Sequence, residues 1–238
     1  MIVVVLQYHA GDIREAGELA SLIADIEPVR RADIGFRLVS RHDCPTMELP
    51  VLQKLGKKFD LSWARSESKE SGWPKGPNGM ALDILGKADD WMEECGWSDA
   101  VGILMLEPDC VPLQRDWLDQ LIRAWDFALL DGVRQMGSWK PSGGANGHIN
   151  GNCMLKPDLG NRVDLHMWCP PNLAWDVGIA PHLKKHWLPC GLFRNDFNST
   201  NATEELLRTP EIGGVPPVIV HGYKDDSARR IARKWLKL

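Results

Sequence analysis

Two carboxylates, Glu107 and Asp109, stand directly after an apolar run at residues 101–106. A run of this length predicts a strand buried on both faces of a sheet, and Pro108 lacks the backbone donor that would continue its pairing. Side chains at the C-terminal end of such a strand lie where open α/β sheets bind their ligands. Carboxylate oxygens suit Mg²⁺ or Mn²⁺, which usually share a site with substrate phosphates. The pair therefore predicts a metal site, the alternative being an acidic loop after a core strand.

Two further polar clusters accompany apolar strands later in the chain. One is residues 147–152, the end of a glycine-rich stretch at 142–152, and the other contains His221 and Lys224. If the strands lie in one sheet, we expect the three clusters to meet at one edge. Two carboxylates and an imidazole would then hold a divalent ion for a diphosphate ligand, Lys224 would offset phosphate charge, and glycines would let backbone amides approach the ligand. The alternatives are a strand-end histidine bonded to backbone and ordinary turn residues in the glycine-rich stretch.

Composition indicates a globular protein with no overall preference for nucleic acid. Hydrophobic residues make up 44% and charged residues 25% of the 238-residue chain, and the net charge is −4. The sequence lacks the G-x-x-x-x-G-K-[ST] pattern and, after its first strand, the G-x-G-x-x-G pattern, which disfavours P-loop and dinucleotide-binding proteins. Six scattered cysteines without a Cys-x-x-Cys pair favour reduced thiols and a cytoplasmic location. No stretch is long enough to predict a membrane span.

Alternating strand and helix patterns in the first half predict a parallel sheet with helical crossovers. The first strand is expected at residues 2–6, and Asp12 with Glu15 has the spacing of a capping box at the start of the next helix. Periodicity and turn signals predict the other elements. They are strands at 36–40, 59–63 and 101–106, helices at 47–55, 84–95 and 114–130, and a loop at 65–79.

The second half is richer in turn residues, and its patterns are weaker. Asn172 is expected to cap a helix that contains Trp175 and Asp176 and ends near residue 186. Residues 193–214 are polar and typical of a mobile loop. The basic tail at 229–238 predicts an amphipathic helix packed on the domain, with membrane or nucleic-acid contact as alternatives. Short strands are expected at 133–139, 153–155, 187–192 and 218–220.

The order of these features resembles that of GT-A-type glycosyltransferases. A nucleotide-binding first half, an acidic pair ending a central strand, a glycine-rich loop, an acidic residue opening a helix and a late strand-end histidine extend over residues 1–224. The resemblance implies a single domain, residues 1–238, with a mostly parallel sheet flanked by helices and a smaller acceptor-side half. It divides the chain into a donor-binding half at 1–112, an acceptor and catalytic half at 113–226 and a basic helix at 227–238.

The resemblance also implies roles for individual residues. Asp109 would be the direct ligand of Mn²⁺ or Mg²⁺ and His221 the late histidine ligand, whereas Glu107 departs from the family motif, which has Asp there. Asp176 would correspond to the acceptor-side carboxylate, which in an inverting reaction removes the proton of the acceptor hydroxyl. The positions expected to bind the donor are Gln7, Tyr8, Asp43, Asn78, Gly79 and Lys224. Those expected to bind sugar and acceptor are Gly147, Asn150, Gly151, Asn152 and Trp175.

These expectations describe a hexosyltransferase that moves a sugar from a nucleotide sugar, expected to be a UDP-sugar, to a hydroxyl acceptor. The family serves sugars, lipids and proteins, and some viral members glycosylate hydroxymethylated bases in DNA, an acceptor that the basic tail would suit. Two other classes stay open. One is a metal-dependent nucleotidyltransferase or nucleotide-sugar hydrolase, and the other is a nucleotide- or carbohydrate-binding module without catalysis. The sequence is compatible with either an inverting or a retaining reaction.

Overall fold

The computed structural model describes residues 1–141, 147–162, 167 and 172–238. Its strands are β1 (Ile2–Tyr8), β2 (Arg31–Ser40), β3 (Phe59–Arg65), β4 (Gly102–Leu106), β5 (Val111–Pro112), β6 (Gln135–Lys140), β7 (His148–Leu155), β8 (Trp187–Pro189), β9 (Phe193–Ser199) and β10 (Ile219–Tyr223). Its helices are α1 (Ile13–Ile26), α2 (Leu49–Gly56), α3 (Lys75–Gly86), α4 (Ala88–Glu94), α5 (Trp117–Leu130), α6 (Leu159–Arg162), α7 (Trp175–Leu183), α8 (Glu204–Arg208) and α9 (Ser227–Leu236). Among the described helices, none combines the length and the apolar character that a bilayer crossing requires.

The main sheet has the strand order β3-β2-β1-β4-β7-β6-β8 in the described part of the chain. β1, β2, β3 and β4 are parallel to one another, whereas β7 is antiparallel to both β4 and β6. β8 pairs with β6 in parallel. The predicted mostly parallel α/β sheet is confirmed, with β7 as a reversed strand inside it. A second, smaller sheet has the order β5-β10-β9.

The sheet is central because its middle strands are apolar on both faces. Every residue of β1 and β4 is buried. One face packs against α1 and α5, where Leu19, Trp117 and Trp125 are completely buried. The other face packs against α3, α4 and α7, with Trp91 and Ile179 in its cluster. The helical spacing of such apolar residues predicted α1 and α5 correctly.

Three predictions about the first half are wrong. Asp12 stands at the N-cap position of α1, but its carboxylate accepts from the backbone amide of His9 at 2.7 Å and makes no capping bond to the helix. α3 begins at Lys75, inside the stretch that was predicted to be a loop. The helix predicted at 84–95 is broken, because Lys87, after Gly86, leaves the helical conformation with a ψ of 21°. Its apolar residues nevertheless share one buried cluster, so the predicted buried face is confirmed.

The second half has more regular structure than its sequence predicts. Asn150 and Asn152 lie in strand β7 and are not turn residues, while residues 142–146 of the glycine-rich stretch lie outside the described residues. Residues 193–214 contain β9 and α8 in place of one long loop. The helix that carries Asp176 follows Ala174, not Asn172, and ends at Leu183. The basic tail forms α9, whose apolar face packs on the core as predicted.

Candidate functional site

The acidic pair and the late histidine belong to two different sheets. Glu107 and Asp109 lie just beyond the C-terminal end of β4 in the main sheet, whereas His221 lies within β10 of the small sheet. The three strands therefore do not share one sheet, which was the condition set for the clusters to meet. β5 connects the two groups, because Val111, which closely follows the acidic pair, is paired with Val220 next to His221. This pairing brings the imidazole to the carboxylates.

Residues 148–152 of the glycine-rich cluster lie on β7, which runs in the opposite direction to β4. β7 is antiparallel to β4, with Met154 opposite Leu104, so the N-terminal residues of β7 reach the C-terminal end of β4. Asn152 Oδ1 accepts from the backbone amide of Glu107 at 2.7 Å, and Asn152 Nδ2 donates to Glu107 Oε2 at 3.3 Å. The three polar clusters thus lie close together. They do so because β7 is antiparallel to β4, which the sequence analysis did not predict.

Glu107, Asp109 and His221 form a compact set of possible metal ligands. His221 Nε2 lies 2.8 Å from Glu107 Oε2 and 3.0 Å from Asp109 Oδ1, and one ligand atom from each residue lies within 4.8 Å of the others. His221 Nδ1 is 3.2 Å from Asn195 Oδ1. With Nδ1 donating its proton to this oxygen, Nε2 is the nitrogen that faces the carboxylates and can bind a cation once it has lost its proton. This donor set fits Mn²⁺ or Mg²⁺.

The three side chains also stabilise one another's charges. Burial opposes protonation of His221, but the carboxylates of Asp109 and Glu107 outweigh burial and raise its pKa to about 9. Burial favours the neutral form of Asp109, but His221 and Lys224 outweigh it and lower the pKa of Asp109 to about 2. The pKa of Glu107 is lowered against burial mainly by His221. A cation that binds here therefore displaces a proton from His221.

Asp176 lies at the start of α7 on the wall of the same cavity. Its Oδ2 accepts from the amide of Gly151 and its Oδ1 from the amide of Val177, both at 2.9 Å. Burial, followed by the negative charge of Glu107, raises the pKa of Asp176 to about 6. His148 Nε2 lies 3.7 Å from Asp176 Oδ2. Asp176 is therefore charged at neutral pH and able to accept a proton.

These groups surround a cavity of about 670 Å³, a volume typical of small-molecule sites. The structure brings most of the predicted site residues to its wall. They are Gln7, Tyr8, Asn78, Glu107, Asp109, Asn150, Gly151, Trp175, Asp176, His221 and Lys224. Lys224 Nζ lies 2.5 Å from Asp109 Oδ2, and 49% of its side chain is exposed, so a positive charge stands beside the candidate metal ligands.

Four predicted residues do not line this cavity. Asp43 is exposed, and its carboxylate accepts from Arg41 at 2.6 and 2.7 Å. Gly79 is buried inside α3, and Gly147 precedes β7 with a φ of 60°. Asn152 forms hydrogen bonds with the backbone amide and the carboxylate of Glu107 and does not line the cavity itself. The first three positions thus lie outside the cavity, while Asn152 orients one of its carboxylates.

Asn78 reaches the cavity, but its amide group already holds the backbone. Asn78 Nδ2 donates to the carbonyl oxygen of Leu173, and Asn78 Oδ1 accepts from the amide of Trp175, both at 2.7 Å. These bonds connect α3 to the first residue of α7. The side chain expected to contact the donor therefore positions the helix that carries Asp176.

Sequence reasoning missed two residues that hold the site together. Asn195 on β9 lies opposite His221 in the strand register and bonds to its ring. Arg229 on α9 pairs with Glu18 on α1 at 2.5 Å and donates to the carbonyl oxygen of Pro108 at 3.3 Å. Asn195 lies in a segment that was predicted to be a loop, and Arg229 was assigned to a surface tail. The basic amphipathic pattern of the tail gave no signal for a residue that faces inward.

No family model matches the sequence, and no curated protein matches it. Several solved glycosyltransferases have a similar structure. The galactosyltransferase LgtC, in complex with donor and acceptor sugar analogues, has a TM-score of 0.63 and 12% identity over 99% of this chain and 95% of its own. Mouse xyloside xylosyltransferase 1 has a TM-score of 0.55 and 10% identity, over 93% of this chain and 98% of its own.

A glycosyltransferase involved in glycosylation of the major capsid of PBCV-1 covers 100% of both chains, with a TM-score of 0.53 and 12% identity. At these identities the likeness concerns the fold. The chain has the GT-A-type fold that the resemblance implied, with a mostly parallel main sheet and an additional small sheet.

Proposed function

We propose that the protein is a metal-assisted glycosyltransferase that transfers a sugar from a nucleoside diphosphate sugar, expected to be a UDP-sugar, to a hydroxyl acceptor. One observation carries this proposal: Glu107, Asp109 and His221 converge in a cavity that also contains Lys224 and Asp176. Cation ligands, a phosphate-binding lysine and a base are the groups that this reaction needs. The fold shared with glycosyltransferases supports the same conclusion.

Negative charge develops on the diphosphate as it leaves the sugar. Mn²⁺ or Mg²⁺ held by Glu107, Asp109 and His221 would supply positive charge for the diphosphate. Lys224 lies beside Asp109 and places a second positive charge there. Asn152 and Asn195 orient Glu107 and His221 through hydrogen bonds, as outer residues commonly do for metal ligands.

Asp176 acts as the proton acceptor in this proposal. A hydroxyl oxygen of the acceptor forms a bond to the anomeric carbon of the donor sugar, and the bond from that carbon to the diphosphate breaks. The bonding electrons leave with the nucleoside diphosphate, and the hydroxyl proton passes to Asp176. This sequence describes an inverting transfer, and the pKa of Asp176, raised by burial to about 6, suits a base at neutral pH.

The nucleoside end of the donor is assigned to the wall formed by the end of β1. Gln7 and Tyr8 line the cavity there, and Gln7 is only 2% exposed. Gln7 Oε1 is buried and has no hydrogen-bond partner within the described structure. A buried polar atom without a partner is costly, so a donor group of a nucleobase would satisfy it. Tyr8 lines the same wall, but it is only 4% exposed, so Gln7 carries this assignment.

The first test incubates the protein with UDP-, GDP- and CDP-sugars in Mn²⁺ or in EDTA and measures both donor binding and release of nucleoside diphosphate. We expect metal-dependent binding and slow release with one donor. Asp109→Ala should abolish the metal dependence of binding, whereas Asp176→Asn should retain binding and lose transfer. If no nucleotide sugar binds in the presence of either metal, the proposal is wrong.

The same assay distinguishes the other two classes. A nucleotidyltransferase would consume nucleoside triphosphate, and a nucleotide-sugar hydrolase would cleave the donor without any stimulation by an acceptor. A binding module would bind the donor equally well before and after Asp176→Asn, and it would have no turnover to lose. The raised pKa of Asp176 favours an enzyme, because perturbed pKa values concentrate at catalytic sites.

A further inference from the structure

We propose that the acceptor is a neutral carbohydrate that packs against the exposed aromatic side chains of Trp73 and Phe197. The proposal rests on the proposed function and names the class of acceptor that the same cavity takes. It selects between the glycan and the hydroxymethylated DNA that the resemblance leaves open.

Trp73 and Phe197 are exposed aromatic residues on a wall that also carries many charged side chains. Trp73 is 72% and Phe197 63% exposed, and both line the cavity that contains Asp176. Exposed aromatic side chains beside polar groups in a cavity are typical of binding sites. One face of a sugar ring consists mainly of C–H groups, which pack on an aromatic ring while the hydroxyl groups remain available for hydrogen bonds.

A distortion in the small sheet includes Phe197 and lies directly after His221 in β10. β9 and β10 are paired on both sides of Gly222, but residues 196–198 lie opposite this single glycine, as in an extended β-bulge. Gly222 has a φ of 104°, and an added Cβ would lie 2.7 Å from the carbonyl carbon of Asp196. Only glycine permits this close approach. Phe197 therefore belongs to a bulge that depends on glycine at position 222, and it lines the cavity.

Each lysine or arginine of the cavity wall has a carboxylate beside it. In the described part of the chain, the lysine and arginine side chains of the wall are Arg14, Lys224 and Arg229. Arg14 pairs with Glu15 at 3.0 Å, Lys224 with Asp109 at 2.5 Å and Arg229 with Glu18 at 2.5 Å. The described wall carries eight carboxylates: Asp12, Glu15, Glu18, Glu107, Asp109, Asp176, Asp225 and Asp226. Carboxylates therefore outnumber cations on this wall.

This balance of charge discriminates between acceptor classes. A divalent cation and the diphosphate of the donor carry opposite charges that largely cancel, so the wall keeps its negative charge when both are bound. DNA would bring further negative charge, although nucleic-acid binding depends on a local excess of lysine and arginine side chains. Sugar hydroxyl groups, in contrast, donate hydrogen bonds to carboxylates. The wall therefore suits a neutral, hydroxyl-rich acceptor.

The test measures UDP release and glycosylated product with Mn²⁺ and a saturating donor in two arms. One arm offers methyl glycosides and neutral disaccharides, and the other offers DNA that contains hydroxymethylated bases. We expect product in the sugar arm only. Glycosylated DNA, or no product from any neutral sugar, would overturn the proposal. A protein that binds its donor but glycosylates DNA refutes only this inference, whereas a protein that binds no donor refutes the proposed function as well.

Substitutions of Trp73 and Phe197 test whether these two side chains bind the acceptor. We expect Trp73→Ala and Phe197→Ala each to raise the acceptor KM about tenfold, in line with the loss of an aromatic packing contact, and to raise it more than the donor KM. Trp73→Phe should restore part of the affinity because it retains a ring. Phe127→Ala is the matched control, since Phe127 is 73% exposed on α5, away from the cavity. Wild-type acceptor KM in both alanine variants would contradict the proposal.

Discussion

Asp176 combines a fixed position with a high affinity for protons. Hydrogen bonds from the amides of Gly151 and Val177 orient its two oxygens. Such bonds favour the charged form, but burial outweighs them and raises the pKa to about 6. A general base needs both a defined orientation and a pKa near the working pH. The surroundings of this one side chain therefore match the role that we propose for it.

We expect kcat/KM to rise with pH up to about 6 and then to level off, because only the deprotonated carboxylate of Asp176 accepts a proton. Below this pH, each further unit should lower the rate about tenfold. Asp176→Asn should reduce kcat by roughly 10²- to 10⁴-fold and remove this pH dependence. Rate profiles of both proteins provide the measurement, with donor binding by calorimetry as the control. If the variant showed the same fall in kcat/KM at low pH, that fall would be due to the titration of another group.

At the scale of elements, β9 and the first turn of α3 form where local sequence disfavours them. β9 contains Asn, Asp and Ser residues that are uncommon in strands, yet it pairs with β10 and supplies Asn195 to the site. α3 begins in a stretch that contains Gly76, Pro77 and Gly79, and the side chain of Asn78 anchors it to the start of α7. Both stretches were predicted to be loops because periodicity and propensity describe only local preferences.

Strongly patterned elements and the main chemical groups were predictable. β1 and β4 are apolar throughout, and Trp117 and Trp125 of α5 recur on one helical face. Pro108 correctly indicated that strand pairing stops at the acidic pair. The membership of His221 in a second sheet was not predictable, because it depends on the pairing of Val111 with Val220, and no local pattern encodes that long-range register.

Gly222 provides a test of the bulge in the small sheet. We expect Gly222→Ala to lower the free energy of unfolding by about 2–3 kcal/mol, because the residue has a φ of 104° and its new Cβ would press on the backbone of Asp196. Gly213→Ala is the control: it has a φ of 67° but open space around the added atom, so only about 1 kcal/mol should be lost. Urea denaturation measures both. Equal losses would show that the close approach at Gly222 is unimportant.

At the scale of the whole molecule, the candidate site joins distant parts of the chain. Lys224 and Asp109 are separated by 115 positions, and Arg229 links α9 to Glu18 and Pro108 across 211 and 121 positions. These groups come together only in the folded chain. A cation or donor that binds them therefore stabilises the complete tertiary structure and not merely one loop.

We expect Mn²⁺ at about 100 times its Kd to stabilise the protein by about 2.7 kcal/mol, which for a chain of this size raises Tm by roughly 5–10 °C. EDTA should reverse the shift, and Asp109→Ala should abolish it because a ligand is lost. Scanning calorimetry with and without the ion provides the measurement, and Asp43→Ala, at an exposed carboxylate paired with Arg41, is the control. A shift of equal size in Asp109→Ala would place Mn²⁺ elsewhere.

β5 is only two residues long, Val111 and Pro112, yet it joins the acidic pair to the strand that carries the imidazole. A cut in the chain between α8 and β10 would leave the carboxylates on one polypeptide and His221 on the other. Each fragment would then hold an incomplete coordination set, and their reassociation would restore it. In such a split protein, affinity for Mn²⁺ would report how accurately the two fragments had reassembled.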